Sequence, residues 1–204
     1  MKEGESVLTT LKNSKNPKVL DFPDKKAWRG WLKENHDSSS GVWLIVQKKN
    51  SRKIGVSLVD VVEEALCFGW IDSKLNVIDE NHFKLLLTPR KKGSIWSKRN
   101  KQRVRRLIRQ GLMTEAGLKV VEAAKKEGSW NKLDAVEELR LPEDLVKALE
   151  ANKSAQKSFG AFSDSFKKHI LWWVESAKKP ETRLRRIQQT VDIVAQGKKV
   201  MSSE

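Results

Sequence analysis

A chain of 204 residues, 38% hydrophobic and 33% charged, has the composition of a folded protein and excludes general disorder; it is long enough for one large domain or two small ones. Its formal net charge of +15 favours anionic partners such as nucleic acid, an anionic membrane surface or an acidic ligand. The single cysteine, Cys67, excludes an internal disulfide framework, and no apolar run approaches the roughly 18 residues of a helical membrane span.

Residues 1–16 are polar and lack periodicity, so they read as a flexible arm without the apolar core of a secretory signal, and the cytoplasm is the expected location. Lys18 to Phe22 is expected to form a short strand. Asp24 then caps a helix in which Trp28, Trp31 and Leu32 recur at helical spacing and face the core. Asp37 to Gly41 is a loop. Val42 to Lys48 is apolar on both faces, the mark of a central strand covered on both sides. Ser57 and Asp60 make a capping-box-like start to a helix that buries Leu58, Val61, Val62, Ala65 and Leu66 and is ended by Gly69. Cys67 lies inside that apolar pattern, where a buried, inert thiol is a commoner use of cysteine than a nucleophile. Trp70 to Ile78 and Phe83 to Pro89 read as two strands joined by the turn Asp79 to His82.

A helix is predicted from Ser97, its cap, to Gln110, with Gly111 ending it. Val104, Leu107 and Ile108 make its buried stripe. Lys98, Arg99, Lys101, Arg103, Arg105, Arg106 and Arg109 cover the rest of its surface. Thr114 starts another helix, burying Leu118, Val121 and Ala124, with Trp130 packed against its end. Residues 131–140 are a polar connection and a domain boundary. Beyond them the pattern is helical throughout. Pro142 suits a first helical position, Leu145, Ala148 and Leu149 form a short apolar edge, and Gly160 breaks the chain between Phe159 and Phe162. Phe166, Ile170, Trp173, Val174 and Ala177 form an amphipathic stripe, and a last helix after Pro180 carries Leu184, Ile187, Val191 and Val194. Trp172 points off that stripe, either to cover the other lobe or to bind a ligand. The expected organisation is an arm (1–16), an α+β domain (17–130), the connection (131–140), a helical module (141–198) and a tail (199–204). The fold class is α+β, a sheet of three or four strands flanked by helices and followed by an all-helical lobe.

The chemistry concentrates between Asn81 and Thr114, 34 residues with eleven Lys and Arg and no Asp or Glu. Such like charge weakens the compact state, so it points to an anion-facing surface. Asp72, Arg90, Ser94, Trp96, Ser97 and Asn100 are the candidate ligand-binding set. If the two strands pair as a hairpin they converge, the helix start at Ser97 offers backbone N–H groups to an anion, and Arg90 forks a phosphate or carboxylate. Ion pairing of Asp72 with Arg90, ordinary capping by Ser94 and Ser97, and a core role for Trp96 account for the same residues without a ligand. Arg99, Arg103, Arg106 and Arg109 form the candidate nucleic-acid set, since an Arg-rich helix beside aromatic rings suits backbone contact and base stacking. The alternative is a solvated face neutralised by the acids between Glu115 and Glu150. His36, His82 and His169 lack ligand spacing, so neither a metal nor a cofactor is expected.

Several segments carry a resemblance: WRGWLKENH, GVWLIVQKK, GWIDSK (Gly69 to Lys74), TPRKKGSIWSKRN (Thr88 to Asn100), RLIRQGLMTEAG, VEAAKKEGSW and KKHILWWVESAKKPETRLRRI (Lys167 to Ile187). Together they resemble the bacteriocin-protection, YdeI or OmpD-associated family, over nearly everything from Asp21 to Lys198, and the helical C-terminal part resembles the small module for which that family is named. Phe83 and Trp172 stand where the family pattern leads one to expect tyrosine, which removes phenolic hydroxyls from any mechanism. The resemblance implies a role in envelope stress or toxin tolerance. The residues and the resemblance support three readings. The first is a non-catalytic binding protein with a basic surface for an anionic ligand, Arg90, Trp96, Arg99, Arg103 and Arg106 facing it. The second is a module that binds RNA or DNA through residues 98–109. The third is an enzyme on a small anionic metabolite, with Asp72 as acid or base and Arg90 as substrate anchor.

Overall fold

A computed structural model describes residues 17–48 and 55–198, which leaves the expected arm and tail outside the described residues. The fold is α+β. The chain divides into two compact units: one runs up to Ser94 and includes Asn100–Glu127, and the other comprises Ile95–Arg99 and everything from Gly128.

The first unit is built on a four-stranded sheet in the order β1 (Val19–Leu20), β2 (Val42–Gln47), β4 (His82–Pro89), β3 (Trp70–Val77). β1 runs parallel to β2, and the other pairs are antiparallel. On β2, Val42, Leu44 and Val46 are buried and Trp43, Ile45 and Gln47 only half so. The strand was expected to be covered equally on both sides. It differs because its second face is partly closed by side chains such as Lys84, whose ammonium lies 5.1 Å from the centre of the Trp43 ring. On β4, Phe83, Leu85 and Leu87 alternate into the core.

Helices α1 (Lys25–Asn35) and α2 (Leu58–Cys67) belong to this unit. Both start at predicted caps: Asp24 accepts from the Ala27 N–H at 2.9 Å, and Ser57 from that of Asp60 at 3.2 Å. Trp28 and Leu32 of α1 are fully buried, whereas Trp31 is half-buried and stacks on Trp28 with ring centres 5.4 Å apart. α2 differs from expectation at both ends of the polarity scale. Leu58 and Val59 are exposed in its first turn, and Glu63 and Glu64 are buried. Gly69, at φ +77°, turns the chain from α2 into β3, and a side chain there would also strike Val120.

After β4 come α3 (Lys98–Arg109) and α4 (Glu115–Lys126). α3 buries Val104 and Leu107 as predicted, but Lys101 takes the third buried position and Ile108 is exposed. Lys101, Val104 and Leu107 follow each other at i, i+3 and i+6, so the buried stripe leans one residue away from the expected one. α4 is capped by Thr114 and packs so closely on α2 that Gly117 is buried against the Cys67 carbonyl.

The second unit is helical: α5 (Asp134–Glu137), α6 (Glu143–Glu150), α7 (Lys153–Ala161), α8 (Asp164–Glu175) and α9 (Pro180–Ala195). The expected polar connection contains α5, and its Val136 is part of the core with Leu145, Leu149, Phe159, Ile170, Leu171, Val174, Ile187, Val191 and Val194. Pro142 stands one residue before the first helical position, with Glu143 and Asp144 in the first turn, where carboxylates favour the helix dipole. Gly160 does not break the chain. α7 runs through it to Ala161, and the turn falls at Phe162, which is extended before Ser163 caps α8. Leu184 on α9 is exposed rather than buried. Trp172 packs against the core of this unit.

The β3–β4 turn gives a pH prediction. The Asp79 carboxylate accepts the N–H groups of Asn81 and His82, each at 2.7 Å, and faces the His82 ring nitrogen at 3.1 Å. The His82 side chain, and then the two N–H groups, hold the Asp79 carboxyl down to about 2. A depressed carboxyl stabilises the fold above its unfolded value, near 3.9, and that contribution is lost as pH falls through about 2. An NMR titration of the Asp79 carboxyl is expected to show a midpoint near that low value, and Asp79→Asn to remove the corresponding loss of hairpin stability below pH ~4.

Candidate functional site

The basic stretch folds into β4, a turn and α3. Arg90, immediately after β4, donates its backbone N–H to the Gly69 carbonyl at 3.0 Å, and its side chain is buried. Burial pushes the guanidinium down to about 10, and the charge of Asp72 opposes that shift. The hairpin register explains why these two groups feel each other: Trp70 pairs with Pro89 and Asp72 with Leu87. Arg90 therefore stays charged at neutral pH beside an internal carboxylate. Ser94 closes a turn, donating its N–H to the Lys91 carbonyl, and Asn100 accepts from Arg103 at 3.2 Å. Trp96 and Ser97 lie in the second unit. Trp96 is only 1% exposed and packs on Trp130 with ring centres 4.9 Å apart, and Ser97 immediately precedes α3. The structure thus couples Asp72 to Arg90, and it places Trp96 in a core.

The four arginines of the candidate nucleic-acid set separate. Arg103 and Arg106 turn toward Glu63 of α2. Arg106 hydrogen-bonds it, and the Arg103 Nε lies 4.0 Å away. Arg99 and Arg109 are exposed, and so is Arg105, which was not in the set. Gln102, Arg105 and Arg109 stand at i, i+3 and i+7, so they share one solvent-facing stripe. Among the described residues neither Arg105 nor Arg109 forms an ion pair.

The carboxylate that holds Arg103 and Arg106 is not among the acids between Glu115 and Glu150. Glu63 and Glu64 sit within the apolar run LVDVVEEALC, and only their neighbours on other elements explain their burial. Glu64, 1% exposed, accepts from Arg29 at 2.5 Å and faces the Lys25 ammonium at 3.3 Å. Arg29 goes on to donate to the Leu112 carbonyl at 2.9 Å. Two adjacent acids thus tie α2 to α1 on one side and to α3 on the other. No local sequence pattern announces such pairs, because the partners are 35 to 43 residues away. Cys67 completes the cluster: burial, and then the charge of Glu64, push its thiol up to about 11, which keeps it protonated and unreactive at neutral pH.

Two of the later acids do hold parts of the basic stretch. Glu127 accepts the Gly93 N–H at 2.8 Å, and in the second unit Glu137 receives the Lys98 N–H at 3.5 Å and the Lys168 ammonium at 3.0 Å. In the same unit, residues of the segment KKHILWWVESAKKPETRLRRI serve as staples. Arg183 forks Asp144 at 2.6 and 2.9 Å and reaches Glu175 at 3.1 Å, which holds the Asp144 carboxyl below its usual range. Arg186 donates to the Trp173 carbonyl at 2.6 Å and lies 5.2 Å from the centre of that ring. Among the described residues no group of three His, Cys, Asp or Glu side chains is placed to hold a metal ion, and no helix is long and apolar enough to cross a membrane.

Residues 20–120 match a family model described only as a domain of unknown function, DUF8412. No curated protein and no solved structure matches the chain. The resemblance seen from Asp21 to Lys198 is therefore divided between two family models. Residues 138–197, the α6 to α9 helices with the end of the preceding segment, match the family described as bacteriocin-protection, YdeI or OmpD-associated.

Proposed function

We propose that this is a non-catalytic binding protein that presents a cationic surface to an anionic ligand, and that single-stranded nucleic acid is the ligand class that suits it best. The observation that supports this reading is the division of labour along α3. Arg103 and Arg106 are held by a buried carboxylate, and this fixes the helix. Arg105 and Arg109 are exposed and form no ion pair among the described residues. A helix anchored by two of its five arginines offers the others at low entropic cost to phosphates. Asp72 and Arg90, the pair an enzyme would use, have a structural role instead: the Asp72 charge opposes the effect of burial on the Arg90 guanidinium. The family description of residues 138–197 names bacteriocin protection, and on that ground we place the role in stress or toxin tolerance.

Titration of the purified chain with single-stranded RNA or DNA at several salt concentrations tests the reading. Affinity is expected to fall steeply as salt rises, because bound phosphates release counterions. Binding that ignores salt, or no binding at low salt, contradicts it. The variants should also separate by fold stability. Removing Arg103 and Arg106 together leaves Glu63 buried without its counter-charges. A loss of about 1–2 kcal/mol is expected, discounted because Arg106 is half exposed. Arg105→Ala with Arg109→Ala should leave the unfolding midpoint within about 0.5 kcal/mol of the parent. Equal stability of the two double variants would show that Glu63 does not anchor the helix.

A further inference from the structure

The sheet has a second face. Residues paired across neighbouring strands stand on the same side, so Trp43 with Leu86 and Ile45 with Lys84 lie opposite the buried Val42, Leu44, Leu85 and Leu87. β2 and β4 are the two inner strands, which puts these four side chains at the centre of that face. All four are half-buried. At the rim, Val19, paired with Trp43, and Asn76, paired with Lys84, are exposed. An antiparallel sheet commonly leaves one face to water, and such a face is ordinarily polar. Here its centre holds a tryptophan, an isoleucine and a leucine with a single lysine. Asp72, the one acid in the four strands, pairs with the buried Leu87 and so belongs to the other face.

We propose that this face is a stacking platform for the bases of a single strand, with Trp43 as the ring on which a base lies and Lys84 as a phosphate contact. The proposal rests on the single-strand reading above and adds a site for the bases to the phosphate contacts of α3. Charge decides the class of occupant. A face with a cation and no acid, in a chain of net charge +15, suits an anion. Its apolar centre suits a flat ligand that gains by leaving water. Single-stranded nucleic acid joins the two, because every base has a π-face and every nucleotide a phosphate. An apolar peptide would bring no charge to the lysine, and inorganic phosphate would leave the ring uncovered. The Lys84 ammonium lies 5.1 Å from the centre of the Trp43 ring. A cation–π contact at a part-exposed site is weaker than a base stack, so a base displaces the ammonium, and the flexible lysine stem carries it to the adjoining phosphate.

Fluorescence anisotropy of labelled oligo(dT) and of an abasic strand of the same length, each titrated with the full chain, tests this. The parent is expected to prefer oligo(dT) about fivefold or more, the effect of one stacked base. Trp43→Ala should bring the two affinities together. Trp43→Phe should keep most of the preference, because a smaller ring still stacks. Arg105→Ala with Arg109→Ala should weaken both strands alike and leave the preference in place. Ultraviolet crosslinking of the parent to oligo(dT), mapped by mass spectrometry, depends on no variant folding, and the crosslinked peptide should contain Trp43. Equal affinity of the parent for the two strands, with the salt dependence intact, overturns the platform and leaves the reading of α3 standing. So does a preference that survives Trp43→Ala, or a crosslink confined to other peptides. Failure of the parent to bind either strand overturns both.

Discussion

Trp28→Ala is expected to lower the stability of the first unit by about 3–5 kcal/mol. Trp28 is completely buried, its indole N–H donates to the Val61 carbonyl at 3.1 Å, and its ring lies between Trp31 and Phe22 at centre distances of 5.4 and 5.6 Å. Truncation to alanine removes a large apolar surface and leaves a cavity that α1 and α2, tied together by Glu64 with Arg29 and Lys25, cannot easily close. Trp28→Phe keeps much of the volume and loses only the N–H bond and part of the stacking, so its cost should be roughly half as large or less. Urea denaturation followed by circular dichroism measures both. A loss below about 1.5 kcal/mol for the alanine variant would mean that the unit closes over the cavity.

Gly117→Ala comes next, with an expected loss of about 3 kcal/mol, at the upper end of what overpacking costs. The last carbonyls of α2 have no partner within that helix, and Cys67 is among them. The structure supplies the partner from α4: the Thr114 N–H and hydroxyl both donate to the Cys67 oxygen, at 3.1 and 2.6 Å. The two helices must therefore touch backbone to backbone, and a Cβ on Gly117 would come within 2.2 Å of that oxygen. Backbone cannot swing aside as a side-chain tip does, so α4 must shift and lose the Thr114 bonds. The apparent gain in helix propensity from glycine to alanine, about 1 kcal/mol, is far too small to offset the clash. An alanine variant as stable as the parent would refute the close approach.

These two positions also show where the sequence informs and where it stops. Trp28 lies at helical spacing with Leu32 behind an Asp cap, and local rules suffice to place it in a core. Gly117 looks like an unfavourable residue in the middle of a helix, and nothing near it in the chain names Cys67 as its neighbour. The same distinction runs through the rest of the fold. Caps at Asp24, Ser57 and Thr114 and the alternation of Phe83, Leu85 and Leu87 are local, and they are legible. Leu58, Ile108 and Leu184 fit apolar stripes but are exposed, because a period identifies a face and not how much of it a partner covers. Gly160 invites a break, yet its helix simply tolerates it, and the turn falls where Ser163 can cap the next helix.

For the candidate site the limit is the reach of charge. The density of Lys and Arg between Asn81 and Thr114 is plain in the sequence, and so is the possibility that internal acids neutralise it. Which acid does so is not. Glu63 and Glu64 read as interruptions in an apolar run, while the many carboxylates after Glu115 look like the natural counter-charges. The fold reverses that order for α3, because a buried carboxylate must find cations and the exposed ones need not. That selection decides which arginines remain for a ligand. Arg103 and Arg106 are engaged by Glu63, and Arg105, for which no local pattern argues, joins Arg109 among the exposed arginines without an ion pair.

The most direct measurement is the dependence of single-strand affinity on salt, compared between the parent chain and the double variant of Arg105→Ala with Arg109→Ala. If these two side chains meet phosphates, the plot of log affinity against log salt should lose about 1.4 from its slope, roughly 0.7 for each contact removed. A slope that stays the same in the double variant contradicts the account, because α3 would then present its outer arginines to nothing.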